Sequence, residues 1–265
     1  MLSINNNKVS GSLSALLPFM LLAFLPLKVS AQVGEYRTDL AIGVNGGYLM
    51  NKIAFVPEVP QLWAGGMTAG ITVRYTCEKY FKSICAVVAE VNLAQMGWKE
   101  NILDMNDEPV YYYDDEEMTD PLRYHRKMTY IQIPVMARLG WGRERRGLQG
   151  FFQIGPQIGI FRSESTDTNI EQGKSTQNYR SSPVVAQESM PVEKKFDYGV
   201  VVGAGIELSL PKVGHFLLEG RYYYGLGNIY GNTKQDYFAR SNHGAIYIKA
   251  TYLFDIIRTK NDKIK

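Results

Sequence analysis

The chain has 265 residues and a formal charge of +3, from 29 Lys and Arg against 26 Asp and Glu. So even a balance gives no electrostatic case for nucleic acid. With 25 Gly and 18 Tyr the composition leans toward strands and turns, and 3 His with 2 Cys leave little material for metal or acid–base chemistry.

The chain opens on Lys8, an apolar stretch from Leu13 to Leu27, and the small residues Val29-Ser30-Ala31. This is the pattern of a secretory signal peptide, residues 1–31, cut after Ala31. The stretch is short for a membrane-spanning helix, which needs about 20 apolar residues, and Pro18 and Pro26 interrupt it. No cysteine follows the cut, so a lipoprotein anchor is not expected. Loss of Lys8 and Lys28 takes the formal charge from +3 to +1. Residues 32–265 are expected to form one domain.

Along that domain no apolar run is long enough for a transmembrane helix, but period-two alternation recurs. Eight runs stand out: Asp39 to Met50, Gly65 to Thr76, Ile84 to Trp98, Tyr124 to Leu139, Gly150 to Arg162, Phe196 to Leu210, Gly214 to Gly225 and Gly244 to Ile257. In each, one parity is almost purely apolar, as in Met67, Ala69, Ile71, Val73 and Tyr75, or Val200, Val202, Ala204, Ile206 and Leu208. Because successive side chains leave a strand on opposite sides, each parity is one face of a sheet. The other parity carries glycine and polar groups, among them Asn45, Thr72, Asn92, Gln132, Gln153, Gln157 and Thr251.

Two barrels fit this pattern. With the polar face outward the chain is a soluble, lipocalin-like carrier; with it inward the apolar face meets lipid. The polar parity is rich in small residues such as Gly43, Gly47, Gly70, Gly155, Gly203 and Gly205, which suits a narrow lumen. Aromatics gather at strand ends (Tyr48, Tyr75, Trp98, Tyr130, Trp141, Tyr222 to Tyr224, Tyr252), as an interfacial girdle requires. The connections alternate long and short. The expected fold is therefore all-β: an eight-stranded antiparallel up-and-down transmembrane barrel, with short periplasmic turns, long external loops and both termini periplasmic. Cys77 and Cys85 flank the first short turn and could close a disulfide there or remain free thiols.

Several strands carry familiar motifs: Ile42-Gly-Val-Asn-Gly-Gly-Tyr48, Tyr130-Ile-Gln-Ile-Pro-Val-Met-Ala-Arg138, and Phe152-Gln-Ile-Gly-Pro-Gln-Ile-Gly159. Two more are the run Phe196 to Glu207 and Glu219-Gly-Arg-Tyr-Tyr-Tyr-Gly-Leu-Gly-Asn228. Together they resemble the PorT family of outer-membrane β-barrel proteins of Bacteroides-like bacteria. The resemblance implies the outer membrane of a Gram-negative cell, an eight-stranded barrel and, for the founding member, a part in protein secretion by the type IX pathway. Its partners would be outer-membrane lipid and lipopolysaccharide, with secretion or envelope proteins as candidates. The chain departs from the pattern at its end, where Arg258 to Lys265 run past the last aromatic-containing strand.

Chemistry has few carriers. His125 and His243 fall near the same rim and, with Asp120 or Ser241, could be assembled into a lipid-modifying acyl-transfer site, but no nucleophile–base–orienter trio is visible. His215 stands alone. Gly203-Ala-Gly205 lies inside a strand with no helix to follow, the wrong setting for a phosphate loop. Asp114-Asp115-Glu116-Glu117 could bind calcium or bridge to lipopolysaccharide through cations, and a plain solvated loop is the simpler reading. No cofactor is expected. The firmer expectation concerns Arg74, Glu90, Arg138, Glu207, Glu219, Arg221 and Lys249, all on the inward parity. Charges confined in a lumen only wide enough for side chains must pair, so the barrel is expected to be plugged, non-enzymatic and non-conducting.

Overall fold

The computed structural model describes residues 35–111, 120–170 and 180–259. The signal segment with its cut after Ala31, the acidic run Asp114 to Glu117, and the last residues of the tail lie outside the described residues.

Eight long antiparallel strands form the wall: β1 (Glu35–Val56), β3 (Ala64–Tyr80), β4 (Ser83–Glu100), β5 (Tyr124–Gly142), β6 (Gly147–Thr168), β7 (Phe196–Leu210), β8 (Gly214–Asn228) and β9 (Arg240–Ile257). A two-residue rung, β2 (Gln61–Leu62), adds to the edge of β4. Each strand pairs with its sequence neighbours, β4 pairs with β5, and β1 pairs with β9, so the sheet closes on itself. Closure leaves the long strands no free edge. Residues 81–82, 143–146 and 211–213 make tight connections at one end, called here the turn end, where the strand termini also lie. Residues 57–63, 101–123, 169–195 and 229–239 connect strands at the opposite, loop end.

The strands run further toward the loop end than the alternation suggests: β1 continues to Val56 and β6 to Thr168. The wall is apolar on its outside, with Val44, Met67, Ile71, Val91, Leu93, Ile154, Ile206, Leu218, Ile248 and Phe254 all exposed. The inward polar residues Asn45, Thr72, Asn92, Gln132, Gln153, Gln157 and Thr251 are buried. This is the reverse of a soluble carrier, and an apolar wall of this kind is stable only against lipid.

The inside is not polar throughout, as the strand runs alone imply. Toward the loop end the parity inverts. On β4 the inward series passes from Glu90 and Asn92 to Ala94, Met96 and Trp98, while the outward series passes from Val91 and Leu93 to Gln95 and Lys99. On β5 the inward side goes from Gln132 to Tyr130, Met128 and Tyr124, and the outward side from Ile131 to Thr129 and Lys127. Beyond the lipid the outside of the strand meets water, so the inside can be an ordinary core. That core, built on Leu49, Phe55, Trp98, Met128, Tyr230 and Phe238, is roofed by loop residues Val59, Ile102, Val110, Leu122 and Val192. Trp98, Tyr130 and Tyr223 are buried in it and are not part of an interfacial girdle; Tyr48, Tyr75, Trp141, Tyr222 and Tyr224 do face outward.

Candidate functional site

In the turn-end half of the lumen, charged side chains from six of the eight long strands converge. Arg74 on β3 and Arg138 on β5 both pair with Glu207 on β7, Arg74 through Nη1 at 2.8 Å from each carboxylate oxygen. Arg138 also sits over the Phe151 ring, its guanidinium carbon 3.7 Å from the centroid. One layer up, Glu90 on β4 receives Arg221 at 2.6 Å and Lys249 at 2.7 Å. Arg221 extends to Glu219 at 2.5 Å, and Gln153 donates to the same carboxylate at 2.6 Å. Asn45 donates to Thr72 and Asn92, each at 2.8 Å, and Asn92 donates to Glu90 at 2.8 Å. The seven charges expected inside thus meet in two clusters of ion pairs, and all seven are buried. A cavity of about 40 Å³, room for no more than a few water molecules, opens beside Arg74, Glu207 and His215.

A group the sequence did not single out closes the turn end. Ser209 Oγ sits 2.8 Å from His215 Nδ1, and His215 Nε2 is 3.1 Å from both oxygens of Asp255. The outline is that of a nucleophile–base–acid trio. Glu207 Oε1, however, lies 2.7 Å from the same Nδ1 and 3.2 Å from Ser209 Oγ. With carboxylates at both ring nitrogens, both nitrogens are called on to donate, and no lone pair remains to take a serine proton. The group is a clamp between β7, β8 and β9. Its signal in the sequence was the short span from Ser209 to His215 around a tight turn.

The two histidines of the rim are not brought together as a site. His243 points inward, buried, with Nε2 3.2 Å from the Tyr130 hydroxyl. His125 lies on the outward parity of β5, opposite Lys99 and Asp167. Ser241 Oγ is taken by the Tyr230 backbone N–H at 3.1 Å. Nor does a disulfide join Cys77 and Cys85, which are both free thiols. The β3–β4 ladder slips between Thr76 and Glu78, and this sets Glu78, rather than Cys77, opposite Cys85.

At the loop end the core is locked by polar contacts from the connections. Arg126 lies 5.2 Å over the Trp98 ring and donates to the Met190 carbonyl at 2.6 Å and to the Tyr230 hydroxyl at 3.1 Å. Gln187, in a 3-10 turn over Ala186–Glu188, donates to Glu100 at 3.0 Å, and Arg180 pairs with both Glu100 and Glu188. The described part of the 169–195 connection is therefore a lid fastened onto the barrel. In the 229–239 connection, Asp236 accepts from the Thr233 hydroxyl and the Thr233 N–H, each at 2.7 Å, and these bonds hold its carboxyl below the usual range.

Among solved structures the chain is similar to the Neisserial surface protein A, with 10% identity and a TM-score of 0.39 over 81% of this chain and 95% of that one. OprG of Pseudomonas aeruginosa is similar at 11% identity and a TM-score of 0.38, over 83% and 98%. Ail of Yersinia pestis follows at 13% identity and a TM-score of 0.33, over 83% and 99%. A search of curated protein sequences returns no match. Residues 30–231 match the family described as the outer membrane protein beta-barrel domain, and with a closed barrel apolar outside and charged inside the chain belongs to that family.

Proposed function

We propose that the mature chain is a sealed, non-enzymatic outer-membrane barrel that holds a structured head at the cell surface as an interaction module. In this reading residues 1–31 are removed, both termini face the periplasm and the loop end is external. The observation that carries it is the filled interior: two ion-pair clusters occupy the lower lumen, and an aromatic core under fastened loops occupies the upper one. A lumen packed in this way has no room for a hydrated ion. Reconstitution into planar bilayers is expected to give no stable conductance above background, and a steady open channel overturns the reading. Surface biotinylation of intact cells, expected at Lys234 in the loop-end connection and not at Lys212 in a turn, tests the orientation.

The PorT-like motifs favour a more specific role, in which the head or the outer wall assists protein secretion by the type IX pathway. Deletion of the gene, followed by a comparison of secreted protein profiles, tests it; an unchanged secretome removes that role and leaves the sealed barrel standing.

A further inference from the structure

One patch on the outer wall departs from its surroundings. At the loop end Gly244 of β9 stands opposite Lys52 of β1 and Tyr224 of β8 on the outward face. A Cβ there would meet nothing closer than the Tyr222 hydroxyl at 3.8 Å and the Lys52 carbonyl at 3.9 Å. The missing side chain leaves a groove of about 410 Å³, walled by Trp63, Tyr222 and Tyr224 and flanked by Lys52 and Arg240.

The charges of the groove are unlike those of the lumen. Lys52 Nζ lies 5.1 Å over the Trp63 ring, and Arg240 donates to the Tyr224 hydroxyl at 3.1 Å and to Asn242 at 2.6 Å. Among the described residues neither cation forms an ion pair, whereas Arg74, Arg138, Arg221 and Lys249 in the lumen all do. The one carboxylate lining the groove is the exposed Glu58, so the groove keeps a net positive charge.

Its height on the wall fixes what it faces. Ten residues of β1 separate Ile42 from Lys52, and at about 3.3 Å per residue with a tilt of roughly 40° this climbs about 25 Å, the height of a barrel's apolar band. The groove therefore lies at the lipid–water interface, with Tyr48, Met50 and Ile248 of the apolar wall below it. Aromatic rings at that level flank the apolar faces of a sugar, and unpaired Lys and Arg side chains seek phosphate.

We propose that this groove binds the phosphorylated sugar headgroup of an outer-leaflet glycolipid of the lipid A type, its phosphate between Lys52 and Arg240 and its sugar against Trp63, Tyr222 and Tyr224. The assignment of the outer leaflet rests on the orientation proposed above. The test is a titration of the full mature chain, in phosphatidylcholine nanodiscs, with bisphosphorylated lipid A, with dephosphorylated lipid A and with phosphatidylglycerol. It reads lipid binding without regard to leaflet, so it can fail independently of the surface-labelling experiment that tests orientation. Dephosphorylation is expected to weaken binding at least tenfold, and phosphatidylglycerol to bind at least tenfold more weakly than lipid A. Lys52→Ala with Arg240→Ala is expected to lose the preference for phosphate. Gly244→Leu, whose side chain has space to fill the groove, is expected to weaken both forms of lipid A. Gel mobility with and without heating reports that each variant folds. Equal binding of the two lipid A forms by the unaltered chain, tighter binding of phosphatidylglycerol, or folded variants within twofold of the unaltered chain each overturn the proposal.

Discussion

The two halves of the barrel interior are built on opposite plans by the same strands. Toward the turns, β4 sends Glu90 and Asn92 inward and Val87 and Val91 outward; toward the loops it sends Met96 and Trp98 inward and Gln95 and Lys99 outward. The lower half is a polar plug in an apolar sleeve, and the upper half is a small water-facing globule with its own core. What sets the plan is the solvent on the outer face. Where that face must be apolar, the lumen has to take the polar residues, and they persist by pairing. Where the outer face meets water, the interior reverts to hydrophobic burial.

The comparison can be broken hardest in the lower half. Glu90→Ala takes from Lys249 its carboxylate partner and from Arg221 one of its two in a buried lumen, and removing one partner of a buried pair costs about 3–5 kcal/mol. With Lys249 orphaned and Arg221 still held by Glu219, the loss is expected within that range. In urea titrations of the lipid-reconstituted protein the whole barrel should unfold earlier, since the pairs tie β4 to β8 and β9. Glu90→Gln keeps the shape and removes the charge, so it should recover only part of the loss. A midpoint unchanged in both variants would mean that the lumen charges are solvated instead of locked.

The upper half is expected to respond differently. Trp98 packs edge-to-face with Phe55 at 5.4 Å and tilted against Tyr124 at 6.1 Å, and it is fully buried. Trp98→Ala should cost about 4 kcal/mol, in the range for truncating a buried aromatic. Because its partners belong to the head, the effect should be local. Limited proteolysis is expected to open the connection over residues 180–195 while the lower wall stays protected; uniform protection of both regions would show that the head does not depend on this core.

The lower plan is legible in the sequence because period two is a local signal: Met67 to Tyr75 and Val200 to Leu208 need only their own neighbours to declare a face. The upper plan is harder to read. Its strands alternate with the same period and only the sense is exchanged: the run to Met50 stops where the inversion begins, and the run to Trp98 takes in only its first few residues from Gln95. The cue is a polar residue on the formerly apolar parity, such as Lys52, Gln95 or Lys127. The pairing of the lumen charges is hidden for another reason. Parity places Arg74 and Glu207 inside, but they are 133 positions apart, and their contact depends on the register carried round the whole ring. The Ser209–His215–Asp255 clamp is hidden likewise, because Asp255 joins it only through the β8–β9 ladder.

The smallest effects sharpen the boundary between the halves. Arginine on the lipid face of a barrel costs about 2–4 kcal/mol at mid-membrane and about 0–1 kcal/mol near the interface. Val91 and Gln95 both point outward from β4, two repeats of the pleat apart on the same face. Val91→Arg should therefore destabilise by about 3 kcal/mol, and Gln95→Arg by less than about 1 kcal/mol. Between them lies Leu93, the last apolar residue on that parity, and Leu93→Arg should fall in the middle. If the three variants are measured in the same lipid, a graded series locates the membrane surface at the level where the interior changes from charge pairs to aromatic core. A flat series would separate the two boundaries and remove the solvent outside the wall as the cause of the inversion within it.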